Sequence, residues 1–307
     1  MKAAVVHTPG GVPIYEDFAD PEPGPDDVVV TVKAVAVENV DRKVAAGEHY
    51  TSTAPTYPLI PCFDGVGTLD DGTLVGFGNV APPYGALADK VVVPRAFTVP
   101  APDGIDPTDV VVLSTAITGM AMRTAGGLVP GETVLVQGAT GVAGRLAVKI
   151  ARLLGAGRVV ATGRDNEALA SLQADAVINT SNEQAFADAG PFDVVVDFLW
   201  GRPTEVLLKT LVPDSFTFGK PTRIVQIGDS AGAALTLPAE SLRTSGVELY
   251  GASKGLAGGG MAEAYEQVLA WTREGALTFD KEVVPLADIE DAWQRTDLRG
   301  KRLVVTP

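Results

Sequence analysis

Thr133-Val134-Leu135-Val136-Gln137-Gly138-Ala139-Thr140-Gly141-Val142-Ala143-Gly144 is the stretch on which the fold turns. Five residues of buried-strand character run into a glycine-rich turn, and a helical pattern follows from about Val142 to Leu154, stopping at Gly155. The glycine spacing is G-x-x-G-x-x-G rather than the commoner G-x-G-x-x-G. Small residues at Gly138, Ala139, Thr140, Gly141, Val142, Ala143 and Gly144 let backbone approach a pyrophosphate. The helix N-terminus behind them offers free N–H groups and partial positive charge. Gly144 lets that helix pack closely on the sheet. The competing reading is a tight strand-to-helix turn in a domain that binds no cofactor.

Outward from the turn the rhythm repeats. Strands are expected at 158–162, 176–178, 192–197, 223–227 and 247–250, with helices at 165–172 and 203–211 between them. Strands alternating with helices imply right-handed crossovers and a parallel sheet, and six strands suit a doubly wound α/β dinucleotide fold. The end of the second strand reports the ribose preference. The position where an acid accepts from a 2′-hydroxyl reads Gly163, and Arg164 follows it. A guanidinium there can pair with a 2′-phosphate, which favours NADP(H). Asp165 is the counter-argument: a register shifted by two makes it the ribose acid and the carrier NADH.

Residues 1–110 read differently. Val28 to Val37 is a long β-branched run after the proline-dense Pro21-Glu22-Pro23-Gly24-Pro25, and short strands near 65–69, 73–77 and 90–93 are separated by Asp-Gly and Pro-Pro. This is the pattern of a small barrel-like β domain. A helix is expected at about 260–274, and the strand Arg302 to Val305 is expected to return to the first domain. The 307 residues suffice for two domains, and 46% apolar against 20% charged is globular composition. The net charge of −14 argues against nucleic acid and anionic membranes, which need clustered cations. No charge-free run reaches the ~20 residues of a membrane helix, and the N-terminus lacks the apolar core of a signal peptide. One cysteine, Cys62, forbids a disulfide within the chain and suits a reducing, cytoplasmic setting. With only His7 and His49 and no G-x-S-x-G elbow, a Ser-His-Asp hydrolase is disfavoured.

With these residues in place the chain resembles the medium-chain dehydrogenase/reductase superfamily, in particular its zinc-free quinone oxidoreductase branch. The anchors are Met1-Lys2-Ala3-Ala4, Asn39-Val40-Asp41-Arg42-Lys43 ending at Gly47, Ile60 to Gly67, Gly85-Ala86-Leu87-Ala88, Gly138 to Gly144 and Gly300-Lys301-Arg302-Leu303. The resemblance implies a GroES-like β-rich catalytic domain at 1–115 and 255–307 and a Rossmann NADP-binding domain with a six-stranded parallel sheet at 116–254. Zinc-dependent relatives place a Cys where this chain has Glu38, and a Gly-His-Glu triplet where it reads Cys62-Phe63-Asp64; a third ligand falls near Ser114. Phenyl cannot ligate and Ser ligates poorly, so no metal is expected. Cys62 reads as a buried filler.

Without a Lewis acid, hydride transfer to an already electrophilic quinone or α,β-unsaturated carbonyl is the expected chemistry. The resemblance makes the segment around Asp41, Lys43 and Tyr50 the wall of the substrate cleft, with Lys43 placed to stabilise a developing oxyanion and Tyr50 to line the cleft or donate a proton. For Lys43 a surface pairing with Asp41 is the plainer alternative, and for Tyr50 a packing role. Thr118, Leu199, Trp200, Gly228, Gly251 and Ser253 are expected on the cofactor side, because strand C-termini face the ligand crevice. Val247 to Tyr250 is an expected homodimer edge. Two alternatives stay open: an enoyl-thioester reductase, and a non-catalytic NADPH-binding sensor or structural protein.

Overall fold

The computed structural model describes all residues except 53, 102–103, 216 and 257–259. The chain forms two compact units, Met1–Val112 with Asp280–Pro307, and Leu113–Phe279.

In the first unit β1 (Lys2–Val5) pairs antiparallel with β2 (Ile14–Asp17). The organising strand is β3 (Asp27–Val37). Val28, Val30 and Val32 point inward, whereas Thr31 and Lys33 are exposed, the alternation of a half-buried strand. A register shift between Val32 and Ala34 breaks that alternation, and Ala34 to Val37 are all buried. From this strand the chain passes into α1 (Asn39–Ala46), whose first turn is closed by a capping box between Glu38 and Asp41 and whose end is Gly47 in the left-handed region. Then come β4 (Gly65–Thr68), β5 (Leu74–Phe77), β6 (Lys90–Pro94), β7 (Thr98–Pro100) and the short α2 (Pro107–Val110), capped by Asp106. The unusually long β3 serves three neighbours, pairing with β6 through Asp27–Thr31 and with β4 from Thr31 to Ala34.

The second unit opens with α3 (Leu113–Thr124) and continues β8 (Thr133–Gln137), α4 (Val142–Leu153), β9 (Arg158–Gly163), α5 (Asn166–Ala170), β10 (Ala176–Asn179), α6 (Gln184–Ala189), β11 (Val194–Asp197), α7 (Gly201–Thr210), β12 (Thr222–Gln226), α8 (Glu240–Arg243), β13 (Val247–Gly251) and α9 (Gly260–Arg273). The six strands pair in parallel in the order β10-β9-β8-β11-β12-β13, the doubly wound arrangement. Val134 to Val136, Val159 to Ala161 and Val194 to Val196 are fully buried, as helices on both faces of a parallel sheet require. Each such aliphatic side chain contributes about 1.5–3 kcal/mol relative to exposure.

The last segment, β14 (Lys281–Pro285), α10 (Ile289–Trp293) and β15 (Arg302–Thr306), returns to the first unit, where β15 lies antiparallel to Val35–Val37 of β3. The return of the C-terminal strand is as the sequence implies, but the boundary is not. It falls between Phe279 and Asp280 rather than at 254/255, because α9 packs on α3 and so belongs to the second unit. The first boundary falls three residues early, at Val112 instead of 115. Sequence patterning also passed over β1, β2, α1, β7, α2, α3, α6, α8, β14 and α10; all of these but the twelve-residue α3 are short.

Candidate functional site

Two groups of residues stand out, one in each unit. In the second, Gly138, Gly163, Leu199, Gly228 and Gly251 follow or end strands that run in parallel, so they lie along one edge of the sheet. Gly138 has φ +82°, a region that disfavours any side chain. Its N–H donates to Thr162 Oγ1 at 3.1 Å, and the Ala139 N–H donates to the Thr162 carbonyl at 2.8 Å, which fastens the turn to the end of β9. A Cβ on Gly144 would lie 2.2 Å from the Gly138 carbonyl oxygen. The turn therefore tolerates nothing larger there, and α4 starts directly against it. No side chain caps α4 at Gly141, so its first amides keep their donors. Ala139 and Gly144 are buried; the surface of the turn is Gly138, Thr140, Gly141, Val142 and Ala143.

At the end of β9, Gly163 is buried and Arg164 exposed. Asp165 is engaged locally: its Oδ1 accepts from the amides of Glu167 at 2.9 Å and Ala168 at 3.1 Å, capping α5. Asn179 Nδ2 donates to the Arg164 carbonyl at 3.2 Å and fixes the backbone under that guanidinium. Arg145, which the sequence reading did not single out, donates from Nε to the Thr140 carbonyl at 3.1 Å and from Nη1 to Ser171 Oγ at 3.2 Å. Its signal was a cation one turn into the helix behind the glycines. Thr118 sits half-buried on α3, its hydroxyl donating to the Thr115 carbonyl at 2.7 Å. Ser253 is exposed in the short turn after β13.

The first unit holds an acidic group. Asp41 is 1% exposed; its Oδ2 accepts the Glu38 N–H at 2.7 Å, and its Oδ1 has no hydrogen-bond partner. Burial, reinforced by the neighbouring Asp64, pushes its carboxyl up to about 8. Burial and then Glu38 push Asp64 up to about 7. Cys62 holds a positive φ of 66°, and burial next to Asp41 and Asp64 pushes its thiol well up. Glu38 pairs with Arg302 at 3.1 Å, and Arg302 Nη1 donates to the Val37 carbonyl at 2.9 Å. Arg42 lies over the Trp293 ring at 4.4 Å. Lys43 is half-buried on α1, while the Asp41 carboxylate is taken up by the Glu38 amide. Tyr50 is 85% exposed with its ring 4.3 Å from that of His49, so solvent surrounds its phenol.

Beside this group, wholly within the first unit, lies a cavity of about 680 Å³ lined by Val44, Ser52, Leu59, Cys62, Phe63 and Tyr84 among others. No lysine or arginine is among its lining residues. The residues at the zinc positions do not fit a catalytic metal. Phe63 offers only carbon, and the Glu38 carboxylate is held by Arg302. Among the described residues no three His, Cys, Asp or Glu side chains are grouped to hold an ion.

No protein-family model matches the chain. A β-rich unit closed by the chain's C-terminal strand and a doubly wound unit with a glycine turn after its first strand are the two parts that the resemblance to the medium-chain dehydrogenase/reductases implies. The chain is similar to the quinone oxidoreductase of Thermus thermophilus, solved also in complex with NADPH. The two are 29% identical, with a TM-score of 0.80 and all of both chains covered. It is 28% identical over the whole of both chains to the probable NADPH-dependent quinone reductase tdiC of Emericella nidulans. An acryloyl-coenzyme A reductase of Sulfurisphaera tokodaii is 29% identical over 75% of this chain and 77% of its own.

Proposed function

We propose that the chain is an NADPH-dependent oxidoreductase that reduces quinones or α,β-unsaturated carbonyl compounds by hydride transfer, without a metal. The observation that carries this reading is the glycine turn, where side chains are excluded to within 2.2 Å of backbone and an uncapped helix begins. Such a site takes a diphosphate on amides rather than on cations. The relatives named for NADPH support the same carrier. NADPH, when bound, supplies the hydride.

The residues of this chain do the rest. The amides of Val142 and Ala143 receive the diphosphate beside Gly141, whose own N–H donates to the Gly138 carbonyl, and Arg164 receives the 2′-phosphate. Asp165 caps α5 through its Oδ1, which supports giving the ribose end to Arg164 rather than to this acid. Thr118, Leu199, Trp200, Gly228, Gly251 and Ser253 are the further cofactor contacts in this reading. In the first unit the cavity by Cys62 holds the acceptor; Lys43 is outside its lining, one residue before Val44, and stabilises charge on the acceptor oxygen only where the acceptor extends past that wall. An uncharged, compact acceptor suits a wall without lysine or arginine. The acryloyl-coenzyme A reductase favours a second reading, in which the acceptor is an enoyl thioester. The protein acts in the cytoplasm as a homodimer paired through β13, which lies at one end of the six-stranded sheet.

The test is NADPH oxidation followed at 340 nm with a panel of quinones, enones and enoyl-CoA esters. Turnover with uncharged acceptors and little with CoA esters is expected. Preference for the esters favours the second reading, and NADPH binding with no turnover on any acceptor defeats both.

A further inference from the structure

We propose that Asp197 is a positioning residue, which clamps the loop of residues 198–200 onto the glycine turn and thereby sets the affinity for the dinucleotide. The inference rests on the NADPH reading above.

Asp197 ends β11 and is fully buried. Its Oδ1 accepts the amides of Leu199 at 2.8 Å and Trp200 at 3.0 Å. Its Oδ2 accepts from Thr204 Oγ1 at 2.5 Å, and Thr204 Oγ1 in turn receives Gln137 Nε2 at 3.3 Å. The Asp197 carbonyl accepts the amides of Ile227 at 2.9 Å and Gly228 at 3.1 Å. One residue thus ties the ends of β8, β11 and β12 to the start of α7. Burial pushes the carboxyl up, and the three donors oppose that.

The clamp holds a conformation the loop would not adopt by itself. Trp200 sits at φ +55°, costly for a bulky residue. The reach of the clamp is visible at Leu199, whose Cδ2 lies 2.9 Å from where a Cβ on Gly138 would stand. The Phe198 carbonyl comes within 2.7 Å of the corresponding point on Gly228 and accepts Ser230 Oγ at 2.8 Å. Both flanking loops are therefore shaped by the one that Asp197 holds. The sequence pointed to Leu199 and Trp200 as contacts, and Asp197 is what places them.

The experiment measures NADPH and NADH dissociation constants, acceptor KM and melting temperature for Asp197→Ala, Asp197→Asn, Thr204→Val and the wild type. Asp197→Ala strands two half-buried amides and the buried Thr204 hydroxyl and should weaken both nucleotides by about tenfold or more. Thr204→Val removes one donor and should weaken them by roughly threefold to tenfold. Asp197→Asn keeps an oxygen for both amides and should fall between the wild type and Asp197→Ala. The NADPH/NADH ratio and acceptor KM should stay unchanged. If Asp197→Ala does not fold, the other two variants decide. Nucleotide affinities within about twofold of wild type in folded Asp197→Asn and Thr204→Val would overturn the proposal. So would acceptor KM rising in parallel with nucleotide Kd. A wild type that binds neither nucleotide defeats the NADPH reading itself.

Discussion

The edge of the parallel sheet and the acidic group by α1 handle charge in opposite ways. Along the sheet edge stand backbone amides at the start of α4 and two guanidiniums, Arg145 and Arg164; the side chains within the turn are small and neutral. In the first unit Glu38, Asp41 and Asp64 crowd together, and two of the three carboxyls have pKa values near neutrality. In the proposed reading the first receives an anionic carrier, whereas burial keeps protons on two carboxyls of the second. The lesson is that a net charge of −14 says little about the charge of any one face of the molecule.

The most damaging way to break the contrast is to fill the glycine turn. Gly144→Val places a branched side chain where even a Cβ stands 2.2 Å from the Gly138 carbonyl. NADPH affinity by fluorescence titration should fall by about 100-fold or more, with a lowered melting temperature. Arg164→Ala should be narrower, costing NADPH roughly tenfold to 100-fold while NADH changes by less than about twofold. Equal losses for both nucleotides would remove Arg164 from the 2′-phosphate.

The acidic group can be sharpened by pH. Asp41 and Asp64 have folded values of about 8 and about 7 against 3.8 as the ordinary value. Between pH 4 and 8 the folded state therefore keeps protons that the unfolded chain has released. This contribution is fully present below about pH 4 and is lost as pH rises, by up to about 1.4 kcal/mol per pH unit for each group. Relative to wild type, Asp41→Asn should gain roughly 5 °C in melting temperature between pH 5 and pH 8. A constant difference across that range would show that Asp41 is ionised throughout.

The smallest effects belong to Tyr50 and Cys62, which follow α1 in the chain. Tyr50 is 85% exposed, so Tyr50→Phe should leave kcat within about twofold. Cys62, 7% exposed and with its thiol pushed well up, should react with a maleimide at least about tenfold more slowly than a free thiol at pH 7.5.

Much of the second unit was legible in the chain. Each of its strands is a short β-branched run between turn residues, and β8 falls on the residues the pattern marks, 133–137. The glycine turn was legible because its work is done by backbone, and only small residues permit it. The first unit was less so. Its strands β1, β2 and β14 have four or five residues each and no clear alternation of their own; β1 is completed by β2 and β14 by β15.

The boundary at Phe279 was hidden because α9 carries an ordinary helical pattern that does not say which unit it covers. Asp197 and Arg145 were missed for the same reason. An aspartate at a strand end or an arginine on a helix has many uses, and only the partners around it pick one. The alternation of strands and helices and the glycine turn follow from local residue chemistry that acts within a few positions. The shifted carboxyls of Asp41 and Asp64, the Glu38–Arg302 pair and the clamp at Asp197 required the folded molecule, because burial and charge proximity depend on residues tens to hundreds of positions apart.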